Sequence, residues 1–151
     1  MPESGGVSLP ARGTVLGFDF GEKRTGVAVG ELETGLAHPL ETIHAEGRRG
    51  RLERIDVLVA EWRPVLLVVG LPTHGDGRAH EMAPAVQRFG RQLRERFGVP
   101  VHHVDEYLTS HEAGRRLAEA GVGGRRRAAL LDEAAAAEIL QSFLETRHAP
   151  A

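Results

Sequence analysis

The stretch Thr14-Val15-Leu16-Gly17-Phe18-Asp19-Phe20-Gly21 runs on into Glu22-Lys23-Arg24-Thr25-Gly26-Val27-Ala28-Val29-Gly30. Two apolar segments of strand length flank a short polar turn with glycine at both ends, which is the pattern of a β-hairpin. Asp19 is the anomaly in it. An unpaired carboxylate inside an apolar strand is costly to bury, so a cation, a metal or a hydrogen-bond network must satisfy it. One explanation is structural, an Asp that accepts N–H bonds from its own turn. The other is a ligand site.

Downstream of the hairpin, Gly35 to His44 reads as a third strand, and Pro39, with no N–H for a ladder, places it near an edge. Arg48 to Trp62 has helical period, with Leu52, Ile55, Leu58 and Val59 on one face, and Pro64 stops it. Val65-Leu66-Leu67-Val68-Val69 is a continuous apolar run, as expected of a strand covered on both faces. A loop covers Gly70 to Gly77. A second helix is expected over Glu81 to Phe97, turning Val86, Phe89, Leu93 and Phe97 inward, with Gly98 as its C-terminal cap. Val99 to Val104 is a further strand that leads into Asp105-Glu106. A helix capped by Thr109 or Ser110 follows, to about Ala120. Gly121 to Arg127 reads as a flexible basic loop, and the last helix runs from about Ala128 to Glu145.

The order β-β-β-α-β-α-β-α-α predicts an α/β fold: a mixed five-stranded sheet in which three antiparallel strands precede parallel βαβ units, with helices on both faces. No linker or repeat interrupts it. The expected organisation is a disordered leader over 1–12, one domain over 13–146 and a flexible tail over 147–151.

Composition sets the outer bounds. A chain of 151 residues suits one domain with a core, and 41% hydrophobic with 26% charged residues is ordinary for a soluble globular protein. No apolar run has the length of a membrane span, and the N-terminus lacks the basic start and apolar core of a signal peptide. A cytoplasmic location is expected. The absence of cysteine excludes disulfides and thiolate zinc sites. The net charge of −2 argues neither for nor against nucleic acid, but Lys23 is the sole lysine among 19 basic residues. The arginines cluster at 48–54, 88–96, 115–116 and 125–127. Arginine suits bidentate phosphate contacts, although charged helix faces are usually just solvated.

Ligand sites in such sheets lie at the carboxyl ends of the parallel strands. Three strands end at polar residues: one at Asp19, one in the loop containing Asp76, one at Asp105-Glu106. If the first, fourth and fifth strands are neighbours, Asp19 and Glu106 lie side by side. Two close carboxylates repel, and a divalent cation resolves the repulsion. An oxygen-only donor set favours Mg²⁺ or Mn²⁺ over Zn²⁺. Alternation groups Glu106 with Val104, and Asp105 with Val101 and His103; both faces are covered, so the choice stays open. In the last helix, Asp132 and Glu133 flank the stripe of Ile139, Leu140, Phe143 and Leu144 about equally, and either suits the positive end of a helix. Ala134 to Ala137 are small enough to let that helix approach the sheet closely. The eight histidines show no metal-ligand spacing, and His102-His103 belong in or beside a strand.

Taken together, the motifs resemble the YqgF/RuvX family of RNase H-like nucleases. Asp19 to Gly30 is similar to its opening motif. Val69-Gly70-Leu71-Pro72 with Asp76-Gly77 is similar to its second, Asp105-Glu106 with Leu108-Thr109-Ser110 and Glu112-Ala113 to its third, and Leu131-Asp132 with the Ala-rich helix through Glu145 to its fourth. The resemblance spans residues 13 to 146. It implies a ribonuclease H-like fold, catalytic and metal-binding carboxylates at Asp19, Glu106 and Asp132, and Mg²⁺ or Mn²⁺ as cofactor. It implies a cytoplasmic nuclease acting on nucleic acid, in 5′-end maturation of pre-16S rRNA, in Holliday junction resolution, or both. It admits a homodimer and implies no membrane. Lys23 and Arg24 in the hairpin turn, and Arg125, Arg126 and Arg127, are then the expected phosphate contacts. The chain departs from the family at Tyr107, where an arginine is usual, and at Arg127, which stands further ahead of Asp132 than the family's basic residue. Two rivals remain on sequence grounds: a non-catalytic RNA-binding module on the same fold, and an actin-like ATPase, for which the chain is too short to form the two domains needed.

Overall fold

In the computed structural model, which describes residues 10–44, 48–71, 82–105 and 124–148 apart from the side chains of 48, 105, 125–129, 147 and 148, the hairpin forms as its sequence predicts. Thr14–Asp19 (β1) and Arg24–Glu31 (β2) pair antiparallel, with Asp19 opposite Gly26. Leu36–His44 (β3) adds antiparallel to β2. Leu66–Leu71 (β4) pairs parallel with β1, and Val101–Asp105 (β5) pairs parallel with β4. The sheet order is β3-β2-β1-β4-β5, the predicted mixed sheet of five strands. Pro39 does lie on an edge strand, beside a bulge where Val27 pairs with Glu41 and Ala28 with Pro39. A bulge and a proline both discourage further strand pairing there.

The two faces carry separate cores. Arg48–Trp62 (α1) and Ala83–Phe97 (α2) cover one face, where Leu16, Phe18, Val27, Leu67 and Val69 meet Ile55, Leu58, Phe89 and Leu93. The α2 stripe of Val86, Phe89 and Leu93 is buried as its period predicts. The helix ends at Gly98, whose φ of 66° is the left-handed conformation of a C-terminal cap and whose N–H donates to the Arg94 carbonyl. Gly124–His148 (α3) covers the other face, packing Ala136, Ile139, Leu140, Phe143 and Leu144 on Val15, Ala28, Leu66 and Val68. Strand alternation assigns odd positions of β1 and even positions of β2, β4 and β5 to the α3 face.

One expectation needs correction. The segment Gly124 to Arg127, read as loop, belongs to the first turns of α3. Arginine is a good helix former, and the unfavourable position of cations at a helix start did not prevent it. The first, fourth and fifth strands are neighbours as expected, in the order β1-β4-β5, which sets the backbones of β1 and β5 two strand spacings apart, about 9.5 Å. Asp76, Glu106 and the helix expected near Thr109 to Ala120 lie outside the described residues. Among those described, no helix is long and apolar enough to cross a membrane.

Candidate active site

The carboxyl ends of β1, β4 and β5 share one rim of the sheet, at Asp19, Leu71 and Asp105. Asp19 falls on the α3 face, in phase with Val15 and Gly17. Its antiparallel partner Gly26 lies on the same face, and Thr42 of β3 pairs with Gly26 in turn. One step past the Phe18–Val69 pair, the register sets Asp19 beside Gly70, which pairs with Val104. Asp19 thus stands in a row between two glycines.

The helix α3 crosses above this row at Asp132. A Cβ at Gly26 would collide with the Asp132 backbone carbonyl, and one at Gly17 would come within 2.9 Å of the Leu140 Cβ and 3.4 Å of the Ala136 carbonyl oxygen. Bare backbone on the sheet and small residues on the helix bring the two elements into this contact, as the Ala134–Ala137 run suggested. Further along, Gln141 fixes the helix to the start of β3: its Oε1 accepts from the Ala37 N–H at 2.9 Å and its Nε2 donates to the Gly35 carbonyl at 2.9 Å. Thr42 Oγ1 donates to Glu133 Oε1 at 3.3 Å. Asp132 and Glu133, indistinguishable by helical period, therefore diverge: Glu133 reaches β3, whereas the Asp132 backbone sits over Gly26, the partner of Asp19.

Asp132 Oδ2 lies 2.7 Å from Arg24 Nε, with the two side chains 19% and 47% exposed. This is an ion pair without the alignment of a hydrogen bond, so the buried Oδ2 has no hydrogen-bond partner among the described residues. Burial pushes the Asp132 carboxyl above the usual carboxylate range, against the lowering pull of Arg24 and His44. Burial also raises Glu133, against its bond from Thr42.

The turn between β1 and β2 is held from the opposite face. Arg51 of α1, only 6% exposed, donates from Nη2 to the Glu22 carbonyl at 2.8 Å and the Gly21 carbonyl at 3.3 Å. Its guanidinium lies 4.6 Å from the centre of the Phe20 ring. Burial lowers the Arg51 pKa, partly offset by Glu22. Thr25 Oγ1 donates to the Gly21 carbonyl at 3.2 Å. Arg51 was legible in sequence only as one member of a basic cluster; no local signal separates a buried arginine from a solvated one. The neighbouring arginines are paired: Arg54 with Glu41, and Arg96 with Asp56 at 2.7 Å. A cleft of about 400 Å³, bordered by Phe20, Glu22, Arg51, Arg88 and Gln92, lies on this α1/α2 face, away from the α3 face of Asp19.

Lys23 is exposed in the turn and Arg24 is engaged with Asp132. Arg125, Arg126 and Arg127 lie at the start of α3, with side chains outside the described residues. His102 and His103 are in β5 as expected; the His102 ring packs 5.1 Å from that of Phe143. Among the described residues, no three His, Asp or Glu side chains form a group able to hold a metal. The expected third carboxylate, Glu106, falls outside them, two positions past Val104 of the α3 face. The residues present still fit a hard cation: oxygen donors only, with a buried carboxylate oxygen that lacks a hydrogen bond.

Residues 13–146 match the family described as "RuvX: Holliday junction resolvase". The chain belongs to the RuvX family. It is 50% identical over 149 residues to a protein of Nitrosospira multiformis, covering 99% of both chains, and 54% identical over 136 residues to one of Dechloromonas aromatica, covering 90% of this chain and 93% of the other. Both carry the name "Putative pre-16S rRNA nuclease". Among solved structures, T. thermophilus RuvC in complex with a Holliday junction substrate matches with a TM-score of 0.54 at 18% identity, covering 89% of this RuvX-family chain and 95% of that one. That likeness concerns the fold, which is ribonuclease H-like. Membership of the RuvX family gives the chain a nuclease role, the hydrolysis of phosphodiester bonds in nucleic acid.

Proposed function

We propose that this RuvX-family chain is a divalent-metal-dependent nuclease that matures the 5′ end of pre-16S rRNA, with Asp19, Glu106 and Asp132 as catalytic carboxylates holding Mg²⁺ or Mn²⁺. The reading is carried by the packing of Asp132 over Gly26, the strand partner of Asp19. Two carboxylate-bearing backbones meet on one sheet face, at the end of the sheet where α/β folds bind ligands. The name shared by relatives about half identical to this chain supports the rRNA substrate.

Each residue has a distinct task. Asp19 ends β1, Asp132 lies on α3 and Glu106 follows β5 in the sequence; in this reading the three carboxylates together would hold the cation. A hard divalent cation held there supplies charge neutralisation at the phosphate and activation of the attacking water. By analogy with ribonuclease H-like enzymes, hydrolysis leaves a 5′-phosphate and a 3′-hydroxyl. Lys23 and Arg24 orient phosphates beside the scissile one, and Arg125, Arg126 and Arg127 hold the nucleic-acid backbone at the start of α3. With a precursor rRNA as substrate, the protein works in the cytoplasm.

The family description favours a second reading, Holliday junction resolution. Cutting both strands of a junction calls for two active sites and hence a homodimer. Cleavage of a precursor 16S rRNA fragment and of a four-way DNA junction, side by side with Mg²⁺ or Mn²⁺, separates the two. Cleavage of the junction alone, by a dimer, would favour resolution. Full activity in Asp19→Asn would sink the metal-site reading, and no cleavage of either substrate would favour a non-catalytic RNA-binding module.

A further inference from the structure

We infer that Arg24 acts as a resident counter-ion for Asp132 that a divalent cation displaces, so that metal loading frees its guanidinium for a substrate phosphate. The inference rests on the metal-site reading above and adds an order of events to it.

The contact itself is suited to exchange. Arg24 Nε lies 2.7 Å from Asp132 Oδ2 but is not aligned as a hydrogen bond, so charge rather than direction holds the pair. A second cation offers that oxygen the same attraction. A guanidinium and a divalent ion cannot share it comfortably, because like charges a few ångströms apart repel strongly where water is scarce. One of them must leave.

The two partners differ in which can move. The Asp132 backbone carbonyl rests on Gly26, and its side chain is mostly covered. Arg24 is the first residue of β2, and its side chain is about half exposed. It can swing towards solvent without opening the core. In doing so it stays beside Lys23, exposed in the same turn, and a planar guanidinium released there suits bidentate contact with a phosphodiester.

The test is Mn²⁺ binding, followed by the electron paramagnetic resonance signal of the free ion, to the full chain and to Asp19→Asn and Arg24→Gln. Wild type is expected to bind Mn²⁺ and Asp19→Asn to lose it. Arg24→Gln should bind Mn²⁺ roughly three- to tenfold more tightly, the scale of removing a partly exposed competing charge. Unchanged or weaker binding by Arg24→Gln, with wild-type binding intact, overturns the inference and leaves the metal site standing. No Mn²⁺ binding by wild type overturns both. A second measurement needs no variant: modification of Arg24 by phenylglyoxal, mapped by mass spectrometry, should accelerate when Mn²⁺ is added. A rate that is unchanged or slower overturns the displacement.

Discussion

Gly26 lies directly beneath the backbone carbonyl of Asp132, so close that a Cβ on the glycine would collide with it. This contact sets the height of α3 above the sheet. Gly26→Ala must lift the helix or bend β2. Overpacking of this kind costs about 1–3 kcal/mol, or about 2–4 °C in Tm per kcal/mol for a chain of this length. Cleavage should fall further than stability, by about 10²-fold, because a displacement near 1 Å at a catalytic group has that effect. Thermal melts and single-turnover cleavage below both melting points check this; wild-type values in both would mean that the helix does not rest on Gly26.

Asp132→Asn is expected to separate activity from stability. Burial holds the Asp132 carboxyl above its ordinary range, so its charged form is the one the fold disfavours at neutral pH. Asparagine removes that cost and gives up the Arg24 ion pair. Tm should be unchanged or higher by up to about 3 °C, the scale of relieving a strained functional site, while cleavage is lost. A fall of many degrees would show that the ion pair holds the fold together.

Arg51 acts on the same site from behind. Its buried guanidinium bonds the carbonyls of Gly21 and Glu22, one turn from Asp19. Hydrogen bonds to charged groups contribute about 1.5–3 kcal/mol, so Arg51→Met should lower the unfolding free energy by that amount in urea. Arg51→Lys should recover only part of it, since an ammonium lacks the planar fork. Equal stability of the Lys variant and wild type would assign Arg51 a purely electrostatic role.

His103 should make the fold acid-sensitive. Desolvation where its ring packs on Gly90 lowers its pKa, and the His102 charge adds to this. The unfolded chain then binds the proton more readily than the folded one. Stability is complete above the ordinary histidine value of about 6.5 and falls as pH drops from there to the lowered folded value. Melts of His103→Gln should show less loss between pH 7 and 5 than wild type; parallel curves would acquit this histidine.

Much of the fold is written in local pattern. The apolar stretches around the Gly21–Arg24 turn, the Val65–Val69 run and the Val86–Phe89–Leu93 stripe each carry their own period, and each forms the element it predicts. What pattern cannot carry is the third dimension. Alternation groups residues by face without saying which face meets which helix. It therefore could not tell that Glu133 bonds β3 while Asp132 sits over Gly26. At the start of α3 a run of arginines after glycines has the local pattern of a loop, whereas a helix packed on a sheet along much of its length draws its first turns into line.

Asp19 stands between Gly26 and Gly70 on its sheet face. Glycine inside a strand is worth roughly 0.5–1 kcal/mol less than alanine, and the common repair is a β-branched residue. At Gly26 the roof of α3 forbids it. At Gly17, on the same face of β1, a Cβ would press on the Leu140 side chain. Adaptation of this chain to heat must therefore work around this strip, through helix faces, edges and turns. The positions with the least freedom to change are those that have no side chain at all.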